Sequence, residues 1–374
     1  MVLQKGHQNA YLMLGKKPTH RRMRFLDSLR GLAALVVVFH HFMVFNSGKL
    51  EQSLSAKAMR ILHFISDLNV EAVLFFFVLS GFSIGLSQRG KLLRHRVAIK
   101  RYLYKRFRRI MPIYLMALAL AAFVGFLAQA LFKESYSFSN LVGNLLFLQT
   151  PAGATDFWFS PYGQNGPLWS LAFEMFFYLF FPLFSMLLLK IRVPKLAVYL
   201  FLLLTSVACI AFNKYLVFIP PLAFLSFFLV WWAGFQIAGE YLQRRANFLI
   251  WITVFVVCTS LLTVSQLVPS TALLEILKTL LIASVLYFLL FLDLSWVSAF
   301  KWRAKKLVNS ILGPVGDGSY ALYALHYPIF ILMQYFEVDW IHQIIFIFAL
   351  IICCVFLERW ISKKRFKLST IGSS

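Results

Sequence analysis

The chain is short of charge. Charged residues make up 14% of its 374 positions and hydrophobic ones 60%, whereas a soluble globular domain carries about 25% charged residues. That balance excludes a soluble globular protein of this size and makes long apolar runs the explanation. Acidic residues are the scarcer sign, 14 beside 37 Lys and Arg, for a formal net charge of +23. Such an excess can serve nucleic acid, but the basic residues lie in short clusters between apolar runs, where the positive-inside rule puts them in a membrane protein. Nucleic acid is therefore not an expected partner. Cysteine is confined to Cys209, Cys258, Cys353 and Cys354. They show no Cys-x-x-Cys or Cys/His metal spacing, so they read as small buried hydrophobes, no metal is expected, and redox compartment stays open. No small-residue cleavage site follows the first apolar run, which reads as an uncleaved anchor. No internal repeat or low-complexity block is present.

Ten apolar runs reach the roughly twenty residues that span hydrocarbon. They lie near 25–46, 70–88, 110–132, 168–189, 195–213, 217–239, 248–268, 272–293, 316–335 and 341–358. With the N-terminus inside, 31 of the 37 basic residues fall in inward segments, led by ten between Arg89 and Arg109. The exceptions are Lys49, Lys57, Arg60, Lys133 and Lys214 in outward segments and Lys278 within a run. The expectation is an all-α integral membrane protein, a bundle of about 10 transmembrane helices with cytoplasmic N- and C-termini. Residues 1–24 form a basic leader, 25–360 the transmembrane domain and 361–374 a short basic tail, with no soluble appendage. In the outward segment 133–167, SNLVGNLLFLQT suits a half-helix or re-entrant piece, and TPAGATDFWFSPYGQNGP a loop that covers a site.

The first run, RFLDSLRGLAALVVVFHHFMVF from Arg24 to Phe45, holds the residues around which the rest is organised. On a helix, Arg30 and His41 stand about 16 Å apart along the axis but only about 20° apart in azimuth, and His40 points about 80° away. Ionisable groups in a span are costly and mark function or a satisfied pair. Asp27 can cap the helix or pair with Arg30, whereas the His41 imidazole suits a general base near neutral pH. Glu174 is the sole carboxylate of GPLWSLAFEMFFYLFFP, with Ser170 and Tyr178 on its face. Its expected partner is a cation from another helix, or His41. Arg106 and Arg109, one turn apart where the third run begins, can face one anionic ligand. Ser319, Tyr323 and His326 are spaced to share a face. GFSIG at Gly81–Gly85 matches a nucleophile elbow literally, but it lies in an apolar helical run, not at a strand-to-helix turn, which removes Ser83 as a triad nucleophile. Ser80, Gly81 and Gly85 instead allow close helix contact or room for a thin ligand chain.

These segments resemble the acyltransferase 3 family of integral membrane O-acyltransferases. LDSLRGLAALVVVFHHF is similar to its opening signature, Arg followed by ten residues and His, which selects Arg30 and His41. FFFVLSGF, through Ser80, Gly81 and Phe82, resembles the second signature, and RFRRIMP its Arg-x-x-Arg element. LWSLAFEMFFYLFFP, with Trp169, Ser170, Glu174 and Tyr178, and SYALYALHYPIF, with Ser319, Tyr323 and His326, resemble two later elements. The resemblance implies O-acyl transfer, with acetyl the expected group, from cytoplasmic acyl-CoA to a hydroxyl of an extracytoplasmic glycan or glycolipid. His41, Arg30 and Glu174 would be catalytic, Arg106 and Arg109 would bind acyl-CoA, and the other named residues would support them. No cofactor is permanently bound, acetyl-CoA being a donor substrate, and the setting is a bacterial plasma membrane. Many relatives add an extracellular SGNH domain that this sequence lacks, so O-antigen, exopolysaccharide and a small glycosylated metabolite all stay open as acceptors. Direct transfer and an acyl-histidine intermediate stay open too. The competing class is a transporter or flippase of an anionic or lipid-linked solute, which also wants intramembrane His, Glu and Arg. Against it stand the missing repeat and the missing pair of interrupted helices.

Overall fold

The computed structural model describes residues 20–127, 137–150, 158–191, 193–244, 246–263, 271–291 and 310–371. Among them the backbone is helical, with no strand beyond an isolated bridge between Gln149 and Phe159. Apolar runs take this form because a helix satisfies its backbone polar groups within the segment, the one economical choice where no water is present. The elements are α1 (His20–Ser53), α2 (Ala56–Ser66), α3 (Asn69–Ser87), α4 (Arg96–Leu127), α5 (Phe138–Leu145), α6 (Trp169–Ile191), α7 (Lys195–Tyr215), α8 (Pro220–Ser226), α9 (Phe228–Gln243), α10 (Phe248–Thr263), α11 (Thr271–Phe291), α12 (Ser319–Tyr335) and α13 (Trp340–Ile371). Residues 310–317 are helical and lead directly into α12.

Seven stretches among the described residues are long and apolar enough to cross a membrane. They involve α1, α2 with α3, α4, α6, α7, α8 with α9, and α13. The remaining three of the ten expected runs coincide with α10, α11 and α12, which are apolar and helical. Two of those runs, 248–268 and 272–293, extend into residues outside the described set. The basic leader lies outside it up to residue 19, and α13 continues past 361 without a break.

Packing is most extensive between α3 and α9. A Cβ on Gly81 would stand 1.9 Å from the Trp231 carbonyl oxygen, and one on Gly234 would stand 2.0 Å from that of Val78. Small residues are needed here because two helix backbones are in contact, the arrangement that substitutes for a hydrophobic driving force in lipid. Gly81 thus serves helix contact, the first of its two expected roles. Next to this seam α6 and α9 interleave their rings, with Phe181 5.0 Å from Phe235 and Phe184 5.0 Å from Trp232. Lys278, the basic residue inside an apolar run, is paired with Glu71 at 2.7 Å.

The short helix α5 begins at Ser137, whose hydroxyl caps it, and the chain after the bridge is tied back by buried amides. Asn144 donates to the Ser160 carbonyl at 2.8 Å, Gln149 to that of Leu168 at 2.8 Å, and Asn165 to that of Ala324 on α12 at 3.0 Å. Residues 151–157 of the expected covering loop lie outside the described residues. One cysteine corrects the sequence reading. Cys209, Cys258 and Cys354 are buried, but Cys353 is exposed, because it shares the outer face of α13 with exposed Ile352 and Phe356. In a lipid-facing helix an apolar position need not be an interior one.

Gly81→Val should destabilise the protein by about 1–3 kcal/mol or more through overpacking against α9. Gly48→Ala, where an added Cβ meets nothing within 4 Å, should be neutral or stabilising by up to about 1 kcal/mol. Thermal unfolding of both variants in detergent checks the contrast.

Candidate active site

Arg30 lies inside the bundle, and its local sequence supplies the first partner: Asp27, one turn earlier, accepts from Nη1 at 2.8 Å. The second comes from α3, where Ser83 Oγ accepts from Arg30 Nη2 and itself donates to the Leu79 carbonyl at 2.6 Å. One turn before Ser83 on the same helix, Ser80 accepts from Trp231 Nε1 at 3.3 Å and donates to Glu174 Oε1 at 2.8 Å. The Tyr178 hydroxyl donates to the same carboxylate oxygen. Two hydroxyls therefore hold Oε1, while Oε2 takes no protein hydrogen bond among the described residues. The expected partner for Glu174, a cation or His41, is not what binds its Oε1. Hydroxyls do, because α3 places Ser80 opposite it.

These groups line a cavity of about 70 Å³. Arg30, Ser80, Ser83, Arg109, Ser170, Glu174, Tyr178, Ser319 and Tyr323 contribute its polar wall, and Phe76, Phe77, Ile110, Leu171 and Tyr320 complete it. Arg30, already paired with Asp27, lines it together with Arg109 and Glu174, so guanidinium donors and a carboxylate share one polar wall. At one boundary the Tyr323 hydroxyl donates to the Pro167 carbonyl at 2.8 Å and lies 2.7 Å from Ser170 Oγ. Ser319 turns back on its own backbone, donating to the Gly316 carbonyl at 2.9 Å.

His41 does not line the cavity. It lies beyond Tyr323, where α1 again meets α12, with His326 Nε2 3.1 Å from His41 Nδ1. His41 thus turns toward α12, while Arg30 bonds α3 and lines a cavity to which α12 also contributes. His41 Nδ1 is also 2.9 Å from the Val37 carbonyl. A carbonyl only accepts, which assigns the proton to Nδ1 and leaves the lone pair on Nε2. That Nε2 makes no protein hydrogen bond among the described residues. His40 points elsewhere, its Nδ1 donating to the carbonyl of Ser66 at 3.1 Å and to its hydroxyl at 3.0 Å, at the junction of α2 and α3.

The other sequence candidates separate. Arg109 joins the cavity, but Arg106 does not; its guanidinium sits 6.0 Å from the Tyr102 ring centroid, with Nε buried and unpartnered among the described residues. Gly81 and Phe82 pack against α9 and Tyr241, and Trp169 stands edge-on to Phe173 at 5.1 Å. Ser83 and Tyr320 belong to the site although sequence reading assigned them no part. A signal existed for Ser83, which is one turn from Ser80 on the same face.

A profile of the family described as an acyltransferase domain matches residues 23–359. Acyltransferase MdmB of Streptomyces mycarofaciens is 33% identical over 180 residues, which are 47% of this chain and 42% of that protein. The matched stretch is thus less than half the length of this relative. No solved structure matches the chain.

The Arg30 contacts can be weighed by a double-mutant cycle. Arg30→Lys keeps the charge but not the planar fork, so it should retain Asp27 and lose Ser83, costing about 1–3 kcal/mol. Ser83→Ala should cost a similar amount, and the double variant less than the sum. Additive losses in thermal unfolding would show that the two groups do not act through one bond.

Proposed function

The chain belongs to the acyltransferase 3 family of membrane acyltransferases, and on that premise we propose that it carries an acyl group, acetyl first among candidates, from cytoplasmic acyl-CoA to a hydroxyl of an extracytoplasmic glycan or glycolipid. Residues 25–360 form the catalytic body, ten spans cross a bacterial plasma membrane, and both termini lie inside. The observation that supports this reading is the placement of two polar centres along one helix pair: a cavity with Arg30, Arg109 and Glu174 toward the basic end of α4, and His41 with an unprotonated Nε2 farther along α1 and α12. The named activity of the Streptomyces relative, an acyltransferase, agrees with it.

In this reading the phosphates of acyl-CoA dock on Arg106 and the exposed Arg101 and Lys105, with Arg109 at the cavity wall, where arginine can offer two parallel hydrogen bonds. The thioester enters the cavity, where the guanidiniums of Arg30 and Arg109 face the oxygen on which charge develops. From the other side the acceptor hydroxyl gives its proton to His41 Nε2, its oxygen bonds to the acyl carbon, the carbon–sulfur bond breaks, and CoA leaves as a thiolate that regains a proton. An acyl-histidine route uses the same atom: Nε2 takes the acyl group from sulfur first and yields it to the hydroxyl. A transporter of an anionic solute would use the same charged residues but would cleave no thioester.

Purified protein supplied with radiolabelled acetyl-CoA tests the proposal. The wild type should release CoA, His41→Ala should abolish release at unchanged folding, and His40→Ala should keep substantial activity, since its ring serves the α2–α3 junction. An active His41→Ala protein would remove His41 from the chemistry. In the same preparation, Arg106→Ala with Arg109→Ala should weaken acetyl-CoA binding by about tenfold to a hundredfold, the value of one or two hydrogen bonds to charged groups. Unchanged donor affinity would return these arginines to a topological role.

A further inference from the structure

We propose that His326 is a positioning residue for His41, a neutral imidazole whose Nε2 accepts the hydrogen bond from His41 Nδ1, where many catalytic histidines have a carboxylate. The proposal builds on the acyl-transfer reading above. His326 is fully buried on α12, and its own Nδ1 lies 3.0 Å from the Leu322 carbonyl one turn earlier. Since that carbonyl can only accept, Nδ1 holds the proton and Nε2 keeps a lone pair. The lone pair meets His41 Nδ1 at 3.1 Å, and the Val37 carbonyl independently requires a proton on that atom. Two carbonyls on two different helices thus fix two tautomers, and the outcome is one donor facing one acceptor. Exchanging either tautomer would set like groups against each other.

The Val37 carbonyl lies on the same helix as His41, and His326 adds a second acceptor from α12, so the one Nδ1 proton is shared between them. His326 in turn is walled in by rings, with Tyr323, Tyr327 and Phe330 at centroid distances of 6.2, 6.4 and 6.2 Å. The titratable groups facing the pair are His40 from α1, 5.0 Å from His41, and Tyr323 and Tyr327 from α12. The nearest acidic side chain from α13 that the contacts place by α12 is Glu358, which binds the Ala321 N–H at 3.2 Å, more than a turn before His326. No carboxylate hydrogen-bonds either ring among the described residues.

A neutral partner suits this position. A carboxylate here would be costly to bury unless His41 were protonated beside it, and a protonated His41 is no base. A neutral His326 orients the ring, keeps Nε2 unprotonated, and accepts a stronger, charge-assisted bond once Nε2 takes the acceptor's proton. His326 gains and loses no proton in that step.

Three substitutions in the full-length protein test this: His326→Leu removes the acceptor, His326→Gln can restore one, and His326→Glu supplies a charged one. One readout is CoA release from acetyl-CoA with water as acceptor. The other is carbethoxylation of His41 by diethylpyrocarbonate across pH, read by mass spectrometry, which reports the unprotonated ring nitrogen without any acyl-CoA. His326→Leu should lower both rates by about tenfold or more, the value of one hydrogen bond to a charged group, with the KM for acetyl-CoA unchanged. His326→Gln should recover most of each rate. His326→Glu should move the midpoint of His41 modification to higher pH, because a nearby negative charge favours imidazolium. If the wild type releases no CoA but the modification pattern holds, the pairing stands and the acyl-transfer reading falls. If His41 is modified equally in wild type, His326→Leu and His326→Glu, the pairing is overturned whatever the activity.

Discussion

A guanidinium inside an apolar bundle has to be met wherever it does not face water or ligand, and at Arg30 that requirement governs the architecture around it. Asp27 meets it from the same helix and Ser83 from α3, so the pair cannot exist unless α1 and α3 are in contact at this level. The chain before α12 closes in at the same place. A Cβ on Gly31 would stand 2.5 Å from the Leu312 carbonyl oxygen, and one on Gly316 would stand 1.8 Å from that of Asp27. Residues 310–317 therefore lie on the backbone of α1 beside the ion pair. From that fixed point α12 runs alongside α1 until His326 reaches His41. The separation between the guanidinium and the imidazole is thereby set by two rigid helices rather than by loops.

Hydroxyls do the remaining satisfaction. Ser80, Ser170, Tyr178 and Tyr323 each bond a polar group across a helix boundary or on the next turn. Hydroxyls cost less to bury than charges and can act as donor and acceptor at once. Ser80 does both, taking the Trp231 indole proton and giving its own to Glu174. The ring ladder of α6 and α9 fixes the backbones from which these groups project, and the glycine seam of α3 and α9 brings Ser80 and Trp231 within reach.

Helical period made part of this legible. The stripe holding Arg30 and His41 and the stripe holding Ser170, Glu174 and Tyr178 follow from spacing alone, and both turn inward as spacing requires. What period cannot supply is the identity of the facing helix. Ser83 was set aside because its motif needs a strand-to-helix turn, and that argument is sound, yet the side chain still enters the site through a contact across 53 residues. Glu174 called for a cation because a lone carboxylate in an apolar run is costly; Tyr178 shares its stripe, but the Ser80 hydroxyl comes from α3, which spacing on α6 cannot name. Cys353 read as buried for the converse reason: in lipid an apolar stretch is not evidence of an interior.

The two polar centres are distinct, and what separates them is held by weak bonds. Tyr323 lies between the cavity and His326, 6.2 Å from that ring, with its hydroxyl anchored on the Pro167 carbonyl and Ser170. The histidines lie outside the cavity, with Tyr323 on its wall between. Displacing Tyr323 breaks hydrogen bonds whose net worth is only about 1 kcal/mol each, a cost that a ligand filling the cavity can offset with its own contacts. A barrier held by neutral hydroxyls can therefore yield to a bound substrate. One held by a buried ion pair could not, because separating such a pair costs several kcal/mol. The charges accordingly sit where they stay fixed, at Arg30 and Asp27, and the weaker bonds sit between the two centres.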